Sequence, residues 1–182
     1  MPRIPILPPD DARPEVRSVY EEFYKRMLFP GPPNFILTQG HSAAAAKGTL
    51  GVVSNVLVGG EIPRWQKEMI FVAISKDRGC RYCKAAHVAC CRMLEVDPET
   101  LERLVRDVDS ITDPKVRDMI MFAVKCSRNP QGLLDSDFAT LYNQGFGISE
   151  VMELIAMSAF AVYANIIADA TQMDDDDMFS QL

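Results

Sequence analysis

Where the prolines fall constrains this chain more than any other feature. All twelve sit in gaps between apolar-periodic segments or at the first turn of one, the positions a residue without a backbone N–H tolerates. Pro2, Pro5, Pro8 and Pro9 make residues 1–13 an extended arm, of a kind that can reach across a subunit boundary. Pro14 suits a first helical turn, and Val16, Val19, Tyr20, Phe23 and Met27 then recur at helical spacing. Pro30, Pro32 and Pro33 break that pattern, and residues 34–58 resume as one helix ended by Gly59-Gly60. Pro63 opens a helix to about Lys76, Asp77-Arg78-Gly79 turns the chain, and Cys80 opens the next helix through Leu94. Asp97-Pro98 and Asp113-Pro114 begin two more, the second reaching about Ser127. Asn129-Pro130-Gln131-Gly132 reads as a loop, Phe138–Gln144 as a short helix, and Ser149 as the cap of a last long helix. No segment alternates β-branched residues with period two. The fold class is all-α, a compact helical bundle.

The length suits one domain with a substantial core. The expected organisation is an arm over 1–13, a single all-α domain over 14–173 and an acidic tail over 174–182. Glu68–Ile74 echoes Asp118–Val124, and a proline precedes each run, which suggests a duplicated helical hairpin. The net charge is −6, and Asp174-Asp175-Asp176-Asp177 reads as a solvated run. An acidic surface repels phosphate backbones, so nucleic acid is not an expected partner. Residues 151–168 are apolar but carry Glu153, Ser158 and Asn165. They read as a buried core helix rather than a membrane span. The proline-rich start does not read as a secretory signal. The expected location is therefore cytoplasmic, where Cys-x-x-Cys points to metal or redox chemistry. The ten methionines read as flexible core filler.

The chemistry-bearing run is Cys80-Arg81-Tyr82-Cys83-Lys84-Ala85-Ala86-His87. Residues three and four apart share a helix face, so Cys80, Cys83 and His87 line one stripe. Free N–H groups and the positive end of the dipole favour a thiolate in a first turn. His87 is placed to take the Cys83 proton, and Glu68 on the preceding helix is the group to orient the imidazole. Each residue has a plainer alternative: a core histidine, a solvated glutamate, a structural or metal-binding cysteine pair. Zinc on Cys80, Cys83, His87 and Glu68 is the main rival, weakened by the lack of a second, distant ligand pair. Cys90 falls near the same stripe and is a secondary candidate for a resolving thiol. Cys91 and Cys126 read as packing residues, and His41 as structural. No motif implies a cofactor.

Glu68, then Cys80-x-x-Cys83, then Lys84-Ala85-Ala86 before His87, resembles the alkylhydroperoxidase D-like, peroxidase-related branch of the carboxymuconolactone decarboxylase superfamily. Residues 67–94 carry the likeness, and residues 113–173 resemble the second half of longer members more loosely. The resemblance implies an all-helical homo-oligomer that reduces alkyl hydroperoxides or hydrogen peroxide. Carried over by position, Cys83 attacks the peroxide and Cys80 resolves it as a disulfide. His87 takes the Cys83 proton, with Glu68 behind it. A dithiol reductant, such as a lipoyl-bearing protein, restores the pair. One departure is Tyr82, where the best-known peroxidase carries a histidine between its cysteines. The other readings are a non-catalytic redox sensor and a zinc-stabilised oligomer.

Overall fold

A computed structural model describes residues 1–181 and contains helices without strands among them. The helices are α1 (Pro14–Met27), α2 (Asn34–Gln39), α3 (Ala43–Val52), α4 (Arg64–Arg78), α5 (Arg81–Met93), α6 (Pro98–Arg106), α7 (Pro114–Arg128), α8 (Asp135–Asn143), α9 (Ile148–Thr171) and α10 (Asp177–Gln181). The centre of the bundle is α4. Every residue from Lys67 to Ser75 is buried, because α5, α7 and α9 cover it on all sides. An all-round buried helix needs no polar face, which explains the unbroken run Met69–Ile74.

Two polar groups inside that run are satisfied from within. The Lys67 ammonium donates to the Val56 carbonyl at 2.8 Å, contacts the Gly59 carbonyl and pairs with Glu153. It thereby ties down the π-helical turn Val53–Val58 that continues α3. Asn165 of α9 donates to the Ser75 hydroxyl at 3.0 Å. By length and composition α9 passes the test for a membrane span. Its polar residues nevertheless have internal partners, with Ser158 donating to the Leu154 carbonyl at 2.8 Å, as a core helix requires.

Several boundaries differ from expectation. Residues 34–58 are not one helix. Gln39 ends α2, and Ser42 then caps α3 by accepting from the Ala45 N–H. The second break follows from the π-helical turn. Gly147, not Ser149, is the N-cap of α9, and Glu150 reaches back to the Gly147 N–H at 2.7 Å. Ser149 instead donates to Glu61 at 2.8 Å. Within the expected loop, Pro130–Gly132 forms a 3-10 turn, and α8 starts at Asp135 rather than Phe138. The arm lies along its own chain, with Leu7 N–H bonded to the Leu37 carbonyl and Arg3 N–H to the Thr171 carbonyl.

The acidic run is not simply solvated either. Asp176 is half-buried and accepts from the Asn34 N–H at 2.9 Å and the Tyr82 hydroxyl at 2.7 Å, while Phe179 is buried. The apolar residue two places beyond the acidic run pulls the segment onto the body. Leu182, the last residue of the expected tail, lies outside the described residues. The two echoing helices, α4 and α7, lie against each other and both pack on α9. They are followed differently: α5 comes directly after α4, whereas a 3-10 turn separates α7 from the shorter α8.

Candidate active site

The α4–α5 corner positions the cysteines. Gly79 has φ +74°, a left-handed conformation natural to glycine. The Gly79 and Cys80 N–H groups fold back onto the Lys76 and Ser75 carbonyls at 3.2 and 2.9 Å, the paired bonds of a Schellman close. Cys80 is at once the residue that ends this motif and the N-cap of α5. Its backbone is held from both sides, and Cys83 follows one turn later. Three residues apart at a helix start, the two side chains come within disulfide reach. Both thiols are free and buried. The neighbouring Cys83 thiol, then burial, pushes the Cys80 thiol far above its usual range.

Across from α5, Glu68 is fully buried. One carboxylate oxygen accepts from Arg64 Nε at 3.0 Å, and the other contacts His87 Nδ1 at 2.5 Å. Burial pushes this carboxyl up, but the His87 and Arg64 interactions outweigh burial and leave it below the usual carboxylate value. An ionised carboxylate only accepts, and Arg64 only donates. His87 Nδ1 must therefore carry the hydrogen, so that in the neutral imidazole the lone pair lies on Nε2. The imidazole also stacks on Phe71, with ring centroids 3.7 Å apart and planes 13° from parallel. Carboxylate and aromatic face together allow the ring little freedom.

Cys83, His87 and Cys90 all line one largely aromatic cavity of about 40 Å³, room for roughly three waters at about 10–15 Å³ each. Phe71 and Phe160 form one wall, and Phe29, Tyr82 and Phe179 another. Cys80 does not line it and lies fully buried. Of the Cys-x-x-Cys pair, Cys83 is thus the thiol that meets the cavity, with Cys80 behind it.

Cys90 approaches the carboxylate–imidazole pair rather than the other cysteines: ligand atoms of Glu68, His87 and Cys90 lie within 4.8 Å of one another. Burial, then the Glu68 charge, pushes its thiol well above the usual range. Seven residues along a helix place Cys83 and Cys90 about 10 Å apart, beyond the roughly 7 Å a disulfide spans. The structure does not support Cys90 as a resolving thiol. The four-residue zinc set is not assembled either, since the only such cluster among the described residues omits Cys80 and Cys83. Within that cluster Arg64 already compensates the Glu68 charge. His41 stands apart, exposed and bonded through Nε2 to the Pro5 carbonyl at 3.0 Å.

Four contributors were not read from the sequence. Arg64 was detectable as the partner four residues before Glu68. Phe71 is indistinguishable in sequence from any core residue. Asp176 and Phe179 arrive from about ninety residues beyond the cysteines.

The site is thus a buried carboxylate–imidazole pair beside a Cys-x-x-Cys at a helix start, inside an all-α bundle. No family model matches the sequence, and no curated protein matches it. Solved structures do. An uncharacterised peroxidase-related protein with an alkylhydroperoxidase AhpD core, from Ralstonia eutropha, superposes with a TM-score of 0.88 at 25% identity, covering 98% of this chain and 94% of that one. An uncharacterised peroxidase-related protein from Silicibacter sp. gives 0.84 at 25% identity, covering 98% and 95%. The debrominase Bmp8 gives 0.83 at 21% identity, covering 98% and 94%, a likeness of fold alone. The fold is that of the alkylhydroperoxidase D-like superfamily, and the chain is similar over nearly its whole length to these peroxidase-related proteins.

Proposed function

We propose that the protein is a dithiol-dependent peroxidase working through a Cys83–Cys80 disulfide cycle. The observation that carries this reading is the placement of Cys83 at the aromatic cavity. It sits one helical turn before an imidazole whose free nitrogen is fixed by a buried carboxylate. The Cys83 thiol gives its proton to His87 Nε2, and the thiolate attacks the distal peroxide oxygen. The O–O bond breaks, Cys83 becomes a sulfenic acid, and the leaving alkoxide takes the proton back from His87 as alcohol. The Cys80 thiol then attacks the sulfenic sulfur, forming the disulfide and releasing water. An external dithiol, of the lipoyl-bearing class that the family resemblance implies, restores both thiols by exchange and leaves as its own disulfide. The apolar walls favour organic hydroperoxides alongside hydrogen peroxide. Five free cysteines suit a reducing compartment, and we assign the cycle to the cytoplasm.

Homo-oligomerisation belongs to the same reading. The outer face of α9 exposes Ile148, Met152, Tyr163 and Ile166, an apolar stripe suited to burial against another copy. The aromatic lining also favours a second reading, in which a halogenated aromatic ring replaces the peroxide. The Cys83 thiolate would take the halogen, the ring carbon would take a proton, and Cys80 would expel halide as the disulfide forms.

The test is peroxide consumption with a dithiol reductant, on wild type and Cys83→Ser. The proposal requires turnover in the first and its loss in the second. Absence of turnover in wild type, with the disulfide still forming, would favour the sensor reading. Halide release without peroxide consumption would favour the aromatic one.

A further inference from the structure

We propose that the segment from Asp174 to Phe179 is a removable wall of the Cys83 cavity, with Phe179 as the residue that sets the size of substrate admitted. The inference rests on the reading of Cys83 as the reactive thiol. The cavity is closed on one side by two stretches distant in sequence, the Phe29–Phe35 connection and the end of the chain. Phe179 supplies the aromatic contact between them. Its ring meets Phe29 edge-on at 5.5 Å and Tyr82 at 6.2 Å, and it lines the cavity with Cys83 and His87. At about 40 Å³ the cavity is tight for an aryl or long alkyl hydroperoxide beside the thiol, so a substrate of that kind is better admitted if a wall moves.

The described ties of this wall are few and run mostly through side chains. Asp176 accepts from the Asn34 N–H at 2.9 Å and from the Tyr82 hydroxyl at 2.7 Å. Asn34 Nδ2 donates to the Asp174 carbonyl at 3.2 Å. Arg81 and Asp175 pair at 3.5 Å with both side chains largely exposed, a contact worth little. Tyr82 is the hinge point. It stands between the two cysteines on α5, and its hydroxyl also accepts from the Phe35 N–H at 3.1 Å. One phenol thus joins the redox helix, the Phe29–Phe35 connection and the terminal segment. Asp174, Asp175 and Asp177 flank Asp176 with like charge, which biases the latch toward release whenever Phe179 leaves its seat. α1, the π-helical turn Val53–Val58, α4, α5 and α9 supply the remaining walls of the cavity from the packed body of the bundle, so the terminal segment is the side able to yield.

The experiment compares alkylation of Cys83 by iodoacetamide and by N-phenylmaleimide, read by peptide mass spectrometry. Cys91, a buried thiol outside the cavity, is the reference for general loosening. Phe179→Ala should raise the phenylmaleimide-to-iodoacetamide rate ratio at Cys83 by about tenfold, equivalent to about 1.4 kcal/mol of lost closure. Asp176→Ala should move the ratio the same way by removing the latch. Phe179→Trp should lower it. A ratio unchanged by all three, or changed equally at Cys91, overturns the proposal. Peroxide turnover is measured on the same samples. Turnover with an unaltered ratio removes the wall and keeps the peroxidase reading, and an altered ratio without turnover does the reverse.

Discussion

Replacing Glu68 by glutamine changes one atom and should disable the site without collapsing the fold. The carboxylate serves two obligate donors, Arg64 Nε at 3.0 Å and His87 Nδ1 at 2.5 Å. A glutamine has one acceptor oxygen and one NH₂. Arg64 cannot accept, so the oxygen must stay with it, and the NH₂ then faces His87. That arrangement works only if Nδ1 gives up its hydrogen and Nε2 takes it. The nitrogen presented to the cavity becomes a donor, and the base for Cys83 is gone. Losing a positioned base lowers rate by about 10²–10⁴, and tautomer inversion in a serine-protease triad sits near the upper end at about 10⁴. We expect a loss of at least about a hundredfold in peroxide turnover. The stability cost is about 3 kcal/mol, the low end for breaking a buried ion pair, because the amide fills the same volume and still satisfies Arg64. For a chain of this size that lowers the melting midpoint by about 6–12 °C. Subtracted from an ordinary reserve of about 5–15 kcal/mol, it leaves the protein folded at 25 °C. Turnover is measured with excess dithiol, and the imidazole tautomer by ¹⁵N NMR. Turnover within about tenfold of wild type, a factor too small for a lost base, would refute the argument. So would an Nε2 that still carries no hydrogen.

Other consequences are as direct. Cys80→Ser should leave Cys83 able to react once and stall, so that dimedone captures a Cys83 sulfenic acid after peroxide treatment; an unlabelled Cys83 would count against its role. Non-reducing peptide maps of that variant should contain no Cys83–Cys90 disulfide, because the helix holds them about 10 Å apart. The Glu68 carboxyl sits below its usual value when folded, so its contribution is present above the unfolded value and is lost as pH falls through the folded one. Urea midpoints should therefore decline below the ordinary carboxylate range in wild type, and less steeply in Glu68→Gln.

The all-α class and the helix starts were legible because proline is local chemistry. Pro14, Pro98 and Pro114 each sit in a first turn, as their missing N–H dictates. What misled was the interior of apolar stretches. Residues 34–58 carry no proline, yet the chain breaks after Gln39 and under-winds into a π-helical turn from Val53. The second irregularity is stabilised by Lys67 from a different helix, which periodicity does not register. Ser149 looked like a cap by residue type, but a glycine two residues earlier, closed by Glu150, competes successfully for that place.

The same division explains the site. Cys80, Cys83 and His87 belong to one helix and its N-cap, so spacing alone assembles them, and Glu68 lies on the helix joined to it by the two-residue corner Gly79-Cys80. These contacts are short-range in sequence, and sequence reasoning reached them. The remaining components are long-range. Asp176 lies 94 residues from Tyr82, inside a run that composition marks as solvated. A run of four aspartates should indeed avoid the interior. Burial raises the Asp176 carboxyl above its usual value, so seating this residue opposes its charge. The opposition is overcome by two donors and by the ring of Phe179. A contact maintained against its own desolvation is easier to release than a core contact. This favours a wall over the Cys83 cavity built from the chain terminus rather than from the helices that hold the cysteines.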